Sequence, residues 1–391
     1  MKRFFGGWLL VLVLLAGCGR TSGLDLQQMA QADAAIEAAI DSGQIPGAVL
    51  AVVRGGRTVY LKAYGNRQVV PDTIPMTTDA IFDLASVSKC VGTTTAILQL
   101  LEKHRIHLDD KVSQYIPGFA PWVDPETGEA VDIRIGDLLT HSAGLPPEIH
   151  VVSYLERFGP HSPDSLIRHI AAELPRNFRP GADGYLYSCL NFITLQHILE
   201  TVTGERLCDY VQREVFDRLG MKHSCYSPAA TRSDLMPKVV PTTLQADGLP
   251  LRGEVHDPTA RLVNDGNSGN AGVFAPAEDL ARFAKALLGG GAFRGKRILG
   301  ETTVERLATF RAPNGRSLGW DAESTSSGLK GEVFNPHTVL CHTGYTGPSM
   351  VLDFETGTAV ILLTNRVHPY DKGGITPLRK TISNIVASSL K

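Results

Sequence analysis

A serine and a lysine stand three residues apart in the segment FDLASVSKCVG, residues 82–92. Residues at this spacing share one face of a helix, so Ser86 and Lys89 could act together as a nucleophile and its base. Unpaired backbone N–H groups at a helix start would stabilise negative charge that develops beside Ser86. Burial beside this positive helix end is expected to lower the pKa of Lys89, as a base requires. The pair therefore indicates acyl transfer through a serine.

The spacing itself does not separate a catalytic pair from a structural one. The same Ser-x-x-Lys spacing recurs at residues 327–330 and 388–391. In the structural interpretation, Ser86 caps a helix and Lys89 is a solvated surface charge. Both interpretations stay open until other segments are considered.

Two further segments contain residue types that suit the same chemistry. The segment GYLYSCLNF, residues 184–192, puts Tyr187 just before a predicted helix. The segment CHTGYTG, residues 341–347, puts His342 ahead of a predicted strand. With the Ser86 segment, they resemble the S-x-x-K, Y-x-N and K-T-G or H-T-G motifs of the penicillin-recognising serine hydrolases.

The resemblance extends well beyond these short motifs. The segments IRIGDLLTHSAGLP (133–146), ILETVTG (198–204) and AGVFAPAEDLARF (271–283) are each similar to recurrent segments of that family. In all, the likeness covers roughly residues 47–365. The sequence is identified as a member of the group formed by class C β-lactamases, serine DD-peptidases and family VIII esterases.

The resemblance implies a catalytic role for each motif residue. Ser86 would attack a carbonyl carbon and become acylated, while Lys89 and Tyr187 would share the proton transfers. The backbone N–H groups of Ser86 and Tyr345 would bind the oxyanion.

The H-T-G segment would contribute to substrate binding. His342 stands where lactamases usually have lysine, and His342 and Thr343 would contact a substrate carboxylate or polarise Tyr187. We expect His342 to couple activity to pH near neutrality. Gly344 has no side chain, which would let a substrate lie along the strand edge.

The second motif departs from the family pattern. Cys189 occupies the position where the family has asparagine, and Asn191 follows two residues later. We predict that both contact substrate, although a thiol cannot replace a carboxamide that both donates and accepts. The alternative, that Cys189 is itself the nucleophile, has no histidine at a recognisable spacing to support it. His141 and the pair 256–257 are predicted to be structural.

The amino-terminal segment indicates export. Residues 1–17 combine a basic start with a short apolar run, and small residues precede Cys18, which resembles a lipoprotein signal peptide. Lipid on Cys18 would anchor the protein to a bacterial membrane, with residues 18–24 as a tether and the catalytic domain outside the cytoplasmic membrane. An ordinary cleaved signal with an incidental cysteine is the alternative.

Composition excludes several other classes of function. The formal net charge of −2 and the lack of basic runs argue against nucleic-acid binding. The cysteines show neither C-x-x-C pairs nor zinc-ligand spacing, so we predict no metal and no other cofactor. No G-x-S-x-G segment is present, which argues against an α/β-hydrolase.

The elements that must position these residues are predicted as a mixed α/β (α+β) fold. Helices are expected near both ends of residues 25–391, and two hairpins over about 48–62 and 350–363 would pair in one antiparallel sheet. Helical periodicity over about 87–101, 192–204 and 277–288 predicts a mostly helical second lobe. In a single catalytic domain, the sheet lobe would comprise about 25–85 and 255–391, and the helical lobe about 86–254.

The sequence therefore predicts a membrane-tethered serine hydrolase with its site in the cleft between the lobes. Peptidoglycan-type D-alanyl peptides are the first candidate substrates, small esters the second and β-lactams the third. A catalytically idle lipoprotein that binds wall peptides or penicillins as a sensor is the alternative. The oligomeric state is not predicted.

Overall fold

The structure is a computed structural model and describes residues 23–181 and 184–391. The predicted signal peptide and Cys18 lie outside the described residues. The strands, in chain order, are β1 (Gly47–Arg54), β2 (Arg57–Gln68), β3 (Ile74–Pro75), β4 (Phe82–Asp83), β5 (Trp122–Val123), β6 (Ala130–Val131), β7 (Cys225–Tyr226), β8 (Val273–Ala275), β9 (Ala292–Phe293), β10 (Lys296–Arg297), β11 (Val339–Thr343), β12 (Ser349–Asp353) and β13 (Thr358–Thr364).

Helices make up most of the remaining regular structure. The α-helices are α1 (Leu26–Asp41), α2 (Thr95–Glu102), α3 (Ile135–Leu139), α4 (Val151–Phe158), α5 (Pro163–Ala172), α6 (Cys189–Thr203), α7 (Leu207–Val211), α8 (Asp217–Leu219), α9 (Pro228–Thr231), α10 (Ala277–Leu288), α11 (Glu301–Thr309) and α12 (Thr376–Ser388). π-helices cover Lys89–Thr94, Gln212–Phe216 and Thr259–Val263, and 3₁₀-helices cover Val112–Gln114, Ser233–Lys238 and Ser327–Lys330.

The main sheet has six antiparallel strands in the order β11-β12-β13-β1-β2-β3. Its central strand β1 is buried on both faces, which explains why its sequence is apolar almost throughout. Val49, Ala51 and Val53 point into one hydrophobic core. Ala48, Leu50 and Val52 point into a second core on the opposite face.

Each face of the sheet is covered by helices. The terminal helices α1 and α12 pack against each other and bury Ile36 and Ile382 in the second core. On the other face, α10 packs on β1 and β13, and the first core continues into the helices of the second lobe. This arrangement confirms the predicted fold class.

Most predicted elements are present close to their predicted bounds. The Asp25 carboxylate caps α1 by accepting the backbone N–H of Gln27 at 2.9 Å, and Gly204 ends α6 in the left-handed conformation. Two differences bear on the site. The helix after Ser86 opens with a π-helical segment where regular helix was expected, and β11, which carries His342, was not predicted as a strand.

Within residues 23–181 and 184–391, every helix is too short or too polar to cross a bilayer.

Candidate active site

Ser86 stands in a tight turn between β4 and the helix that follows. Ala85, immediately before it, has a φ of +44°, which costs a residue with a Cβ about 1–2 kcal/mol. The backbone N–H of Lys89 donates to the Ser86 carbonyl at 3.0 Å, which closes the first helical turn. Ser86 and Lys89 therefore face the same space, as their spacing predicted.

The Lys89 side chain is 0% exposed, and its Nζ has three acceptors. It donates to Ser86 Oγ at 2.9 Å, to the Asn270 carbonyl oxygen at 2.9 Å and to Cys189 Sγ at 3.5 Å. An ammonium group has three protons to donate, so this set suits the charged form of lysine. The interpretation of Lys89 as a solvated surface charge is wrong.

The pKa of Lys89 is raised above its ordinary value. Burial by itself lowers this pKa. The opposing effects are larger: negative charge on ionised Cys189 and Tyr187, and the interaction with Tyr187, raise the pKa. The expected lowering is therefore wrong. The contacts of Lys89 favour its ammonium form.

Tyr187 is placed beside this pair by the loop that leads into α6. Its phenol interacts with the Ser86 hydroxyl and the Lys89 ammonium, and Lys89 Nζ lies 5.1 Å from the centroid of its ring. The His141 ring packs against the Tyr187 ring, with centroids 4.3 Å apart and an interplanar angle of 33°. Burial raises the pKa of the phenol, and the Lys89 charge opposes that rise. The three motif side chains thus converge, with the ammonium placed to stabilise a phenolate.

His342 is buried in β11, and its ring centroid lies 6.1 Å from that of Tyr187. Its Nδ1 donates to the Thr343 carbonyl at 2.9 Å, which leaves Nε2 as an acceptor without a partner among the described residues. Burial lowers the pKa of His342 well below its ordinary value, and the charges of Arg316 and Lys89 lower it further. His342 stays neutral near pH 7, so the expected coupling of its titration to activity near neutrality is wrong.

Gly344 begins a tight loop between β11 and β12. A Cβ at this position would lie 2.3 Å from the Leu84 carbonyl oxygen, so glycine lets this loop pack directly against the turn that carries Ser86. Arg379 from α12 fixes the loop by donating to the Gly344 and Gly347 carbonyls at 3.1 and 2.8 Å. Tyr345 follows Gly344 and lines the same cavity as Ser86.

Cys189 and Asn191 differ in their relation to the site. Cys189 is a free thiol that contacts the Lys89 ammonium. Asn191 is fully buried, and its Nδ2 contacts His141 Nδ1 at 3.3 Å instead of lining the cleft. A direct contact of Asn191 with substrate therefore has no support from its placement.

The cysteine alternative is testable by labelling. Burial raises the pKa of Cys189, so the thiol is a weak nucleophile at neutral pH. Cys189→Ala is therefore expected to keep covalent labelling by a serine-directed acylating agent, measured by intact mass. Cys208→Ala, which removes another partly exposed free thiol, is the matched control. Loss of label in Cys189→Ala alone would make the thiol the nucleophile.

Two adjoining cavities form the cleft at these residues. One, of about 270 Å³, is lined by Ser86, Tyr187, Thr343, Gly344, Tyr345, Arg366, Gly374 and Arg379. The other, of about 220 Å³, is lined by Tyr185, Tyr187, Arg316, Asp321, Ser326, Leu329, His342 and Thr343. Tyr187 and Thr343 belong to both cavities, so a substrate bound at Ser86 can extend from one into the other.

A larger cavity of about 710 Å³ lies between α5, α6 and residues 264–267. Its described lining includes neither serine, cysteine nor lysine, so the smaller cleft is the better candidate for nucleophilic chemistry. The other Ser-x-x-Lys segments are not assembled in this way. The Ser327 hydroxyl and the Lys330 ammonium each donate to backbone carbonyls, and Ser388 is exposed on α12.

Comparisons with known proteins identify the family of this chain. A family model described as Beta-lactamase matches residues 32–381. The chain belongs to the beta-lactamase family. This confirms the resemblance identified from the three motifs.

Relatives within the beta-lactamase family include several cell-wall enzymes. The chain is 28% identical over 378 residues to a putative D-alanyl-D-alanine carboxypeptidase of Escherichia coli K12, covering 91% of this chain and 86% of the relative. It is 30% identical over 377 residues to an N-acetylmuramyl-L-alanine amidase of Bacillus subtilis 168, covering 89% and 83%. The solved structure of EstCE1, a hydrolase with promiscuous acyltransferase activity, has a TM-score of 0.71 at 24% identity and covers 92% of this chain and 99% of that one. The family places this protein among hydrolases.

In this beta-lactamase family member, two residues that the sequence did not single out also lie beside the Lys89 and Tyr187 side chains. Arg316 is 2% exposed and lies 5.9 Å from the Tyr187 ring centroid, with its Nη1 3.4 Å from Asp321. Its Nε and Nη2 have no partner among the described residues. Asn270 accepts a hydrogen bond from the Lys89 ammonium through its backbone carbonyl, a contact for which no sequence signal exists.

Proposed function

We propose that this protein is a serine hydrolase that forms an acyl-enzyme on Ser86. The observation that carries the proposal is the convergence of the Ser86 hydroxyl, the Lys89 ammonium and the Tyr187 phenol at one open cleft. A purely structural Ser-x-x-Lys pair needs neither a buried cation nor a second ionisable group beside the hydroxyl.

The charge on Lys89 determines which group acts as the base. Because the ammonium already donates to Ser86 Oγ, the Ser86 proton faces the Tyr187 oxygen, with which it shares a hydrogen bond. In the active protonation state, Tyr187 is a phenolate held beside the Lys89 ammonium. It accepts the Ser86 proton as Oγ bonds to the substrate carbonyl carbon.

The same phenol then completes the reaction. Tyr187 gives the proton to the leaving group as the bond between that group and the carbonyl carbon breaks, which leaves an ester on Ser86. In the second half, Tyr187 accepts a proton from water as the water oxygen attacks this ester, and Ser86 Oγ recovers the proton as it departs. The backbone N–H groups of Ser86 and Tyr345 hold the oxyanion in both halves.

Positive charge around the cleft supports a substrate with a carboxylate. The first cavity is lined by Arg366 and Arg379, and the second by Arg316. Arg379 Nε and two Arg316 nitrogens have no partner among the described residues, so these cations are not fully neutralised. We therefore rank peptides that end in D-alanyl-D-alanine first, in line with the name of the Escherichia coli relative.

Small esters are the second substrate class. The observation in favour of esters is Cys189, whose thiol cannot hold a substrate amide as a carboxamide does. The hydrolase and acyltransferase activity named for EstCE1 agrees with this class. Export, with lipid anchoring at Cys18, remains part of the proposal, and relatives named for cell-wall substrates support an exported location.

Two peptides that differ only at the carboxyl end test the substrate. A peptide ending in D-alanyl-D-alanine should be hydrolysed at least about tenfold faster than its carboxyl-terminal amide, because only the free acid pairs with the arginines. Release of D-alanine or D-alaninamide is measured by chromatography. Hydrolysis of a chromogenic acetate ester by the same preparation is the control, because it shows that the active site is assembled.

The outcomes separate the remaining functions. Ester turnover without any peptide hydrolysis would make the protein an esterase. A permanent penicillin adduct on Ser86, seen by intact mass, with no turnover of ester or peptide, would support the idle sensor instead. Equal rates on the acid and the amide would remove the carboxylate from recognition.

A further inference from the structure

The Asp83 carboxylate connects the segments that surround Ser86. It is 2% exposed, its Oδ1 accepts the Ala85 N–H at 2.8 Å, and its Oδ2 accepts the His256 N–H at 2.7 Å. The Asp83 carbonyl oxygen also accepts the Thr346 hydroxyl at 2.7 Å. One residue thus bonds to the nucleophile turn, to the segment at residue 256 and to the loop after the H-T-G motif.

The hydrogen bond from the Ala85 N–H to Asp83 holds the turn that precedes Ser86. Ala85 has a φ of +44°, a conformation that alanine adopts only when its surroundings hold it there. The Asp83 carboxylate accepts its N–H, and the Ala85 carbonyl accepts the Ser88 N–H at 3.0 Å. Because Ser86 follows directly, these bonds set the direction of its backbone N–H.

The hydrogen bonds of Asp83 with His256 and Thr346 hold the segments on either side of Tyr345, the second proposed oxyanion donor. The His256 ring stacks on the Tyr345 ring, with centroids 5.7 Å apart and an interplanar angle of 20°. Thr346, which bonds to the Asp83 carbonyl, is the next residue in the chain. Tyr345 is therefore held through a ring contact on one side and through its neighbour on the other.

We propose that Asp83 is a positioning residue that fixes the separation between the Ser86 and Tyr345 backbone N–H groups. The inference rests on the proposed acylation of Ser86 and identifies what keeps its oxyanion donors in register. Donors for an oxyanion are effective only when they are held in place before the reaction, and small displacements lower the rate steeply.

The burial of Asp83 adds a pH dependence. Burial raises the pKa of Asp83 to about 6, and the negative charge of Asp257 adds to this rise. The N–H bonds from His256 and Ala85 and the positive charge of Arg261 oppose it. The ionised carboxylate has both N–H bonds, so activity should fall as the pH falls through about 6 and Asp83 is protonated. Because this pKa lies above the ordinary value of 3.8, the same protonation favours folding in that window, so stability and activity change in opposite directions.

Asp83→Asn tests the proposal against Asp279→Asn. Asp279 is also buried, but its carboxylate accepts the His223 N–H at 2.8 Å and the Ser224 hydroxyl at 3.0 Å, which belong to a segment outside the turn that carries Ser86. Asp83→Asn should lower kcat for a chromogenic ester about 10- to 100-fold with little change in KM. Its pH–rate profile should also lose the acid limb, which is the fall in the activity of the parent below about pH 6. Asp279→Asn should keep the kcat and the acid limb of the parent even if its Tm falls.

A glycine at position 85 provides the second test. Glycine adopts a positive φ without support, so Ala85→Gly should fold and should show a smaller acid limb than the parent. In the Asp83→Asn background, Ala85→Gly should raise kcat by at least about threefold. The proposal is overturned if Asp83→Asn keeps the kcat and the acid limb of the parent. If Asp83→Asn does not fold, an unchanged limb in Ala85→Gly overturns it.

Failure of this inference is distinguishable from failure of the proposed function. If Ser86→Ala retains turnover, the serine mechanism itself is wrong. If turnover depends on Ser86 but Asp83→Asn matches the parent in kcat and in its pH profile, only the role of Asp83 is wrong.

Discussion

Ser86→Ala is expected to abolish ester turnover and covalent labelling together, with kcat/KM falling on the order of 10³-fold or more. The variant removes the Ser86 Oγ atom, which accepts a hydrogen bond from the Lys89 ammonium at 2.9 Å and interacts with Tyr187 at the cleft. The fold should persist, because the Ser86 backbone bonds are retained. Chromogenic ester kinetics and intact mass after incubation with a fluorescent penicillin measure the two effects.

Ser388→Ala is the matched control for this prediction. It removes a serine from the same Ser-x-x-Lys spacing, but Ser388 is exposed at the end of α12. The control should therefore keep the rate and the label of the parent. A Ser86→Ala variant that still becomes acylated, with the adduct mapped to another residue, would move the nucleophile elsewhere and end the proposal.

The fold was largely predictable because its signals are local. The Gly55-Gly56 turn lies between two apolar runs that form β1 and β2, and helical periodicity located α10 and α12. The strand β11 was missed because its buried segment is only five residues long and contains a histidine, so its apolar pattern is weak.

The site was predictable in its residues but less so in its charges. The motifs located Ser86, Lys89 and Tyr187, because a family resemblance records which side chains recur together. The pKa of Lys89 could not be inferred, since it depends on contacts with Cys189 and Tyr187 that only the fold creates. Helix position alone suggested a neutral amine, and the contacts in the folded chain give an ammonium ion.

His342 illustrates the same limit. From the sequence, a histidine beside the site suggested titration near neutral pH. In the fold, Arg316 approaches from a segment 26 residues earlier, and burial together with the Arg316 charge lowers the pKa of His342. Asp83, which the sequence analysis passed over, is instead the buried group whose pKa of about 6 falls in that range.

Tyr187→Phe is expected to lower kcat by about 10²- to 10⁴-fold while KM changes little. Phenylalanine keeps the ring contact with His141 and the contact of the ring with the Lys89 ammonium. Only the oxygen that would carry the proton between Ser86 and the leaving group is lost. The measurement is steady-state hydrolysis of a chromogenic ester, with circular dichroism to verify that the variant is folded.

Tyr226→Phe makes the same chemical change at another buried tyrosine. The Tyr226 hydroxyl has no hydrogen-bond partner among the described residues, so its removal should leave kcat unchanged and raise the free energy of unfolding by about 1 kcal/mol. If Tyr187→Phe kept more than about a tenth of the parent kcat, the phenol could not be the main proton carrier. The Ser86 proton would then have to pass to another acceptor, and if that acceptor were water the rate would increase with hydroxide concentration.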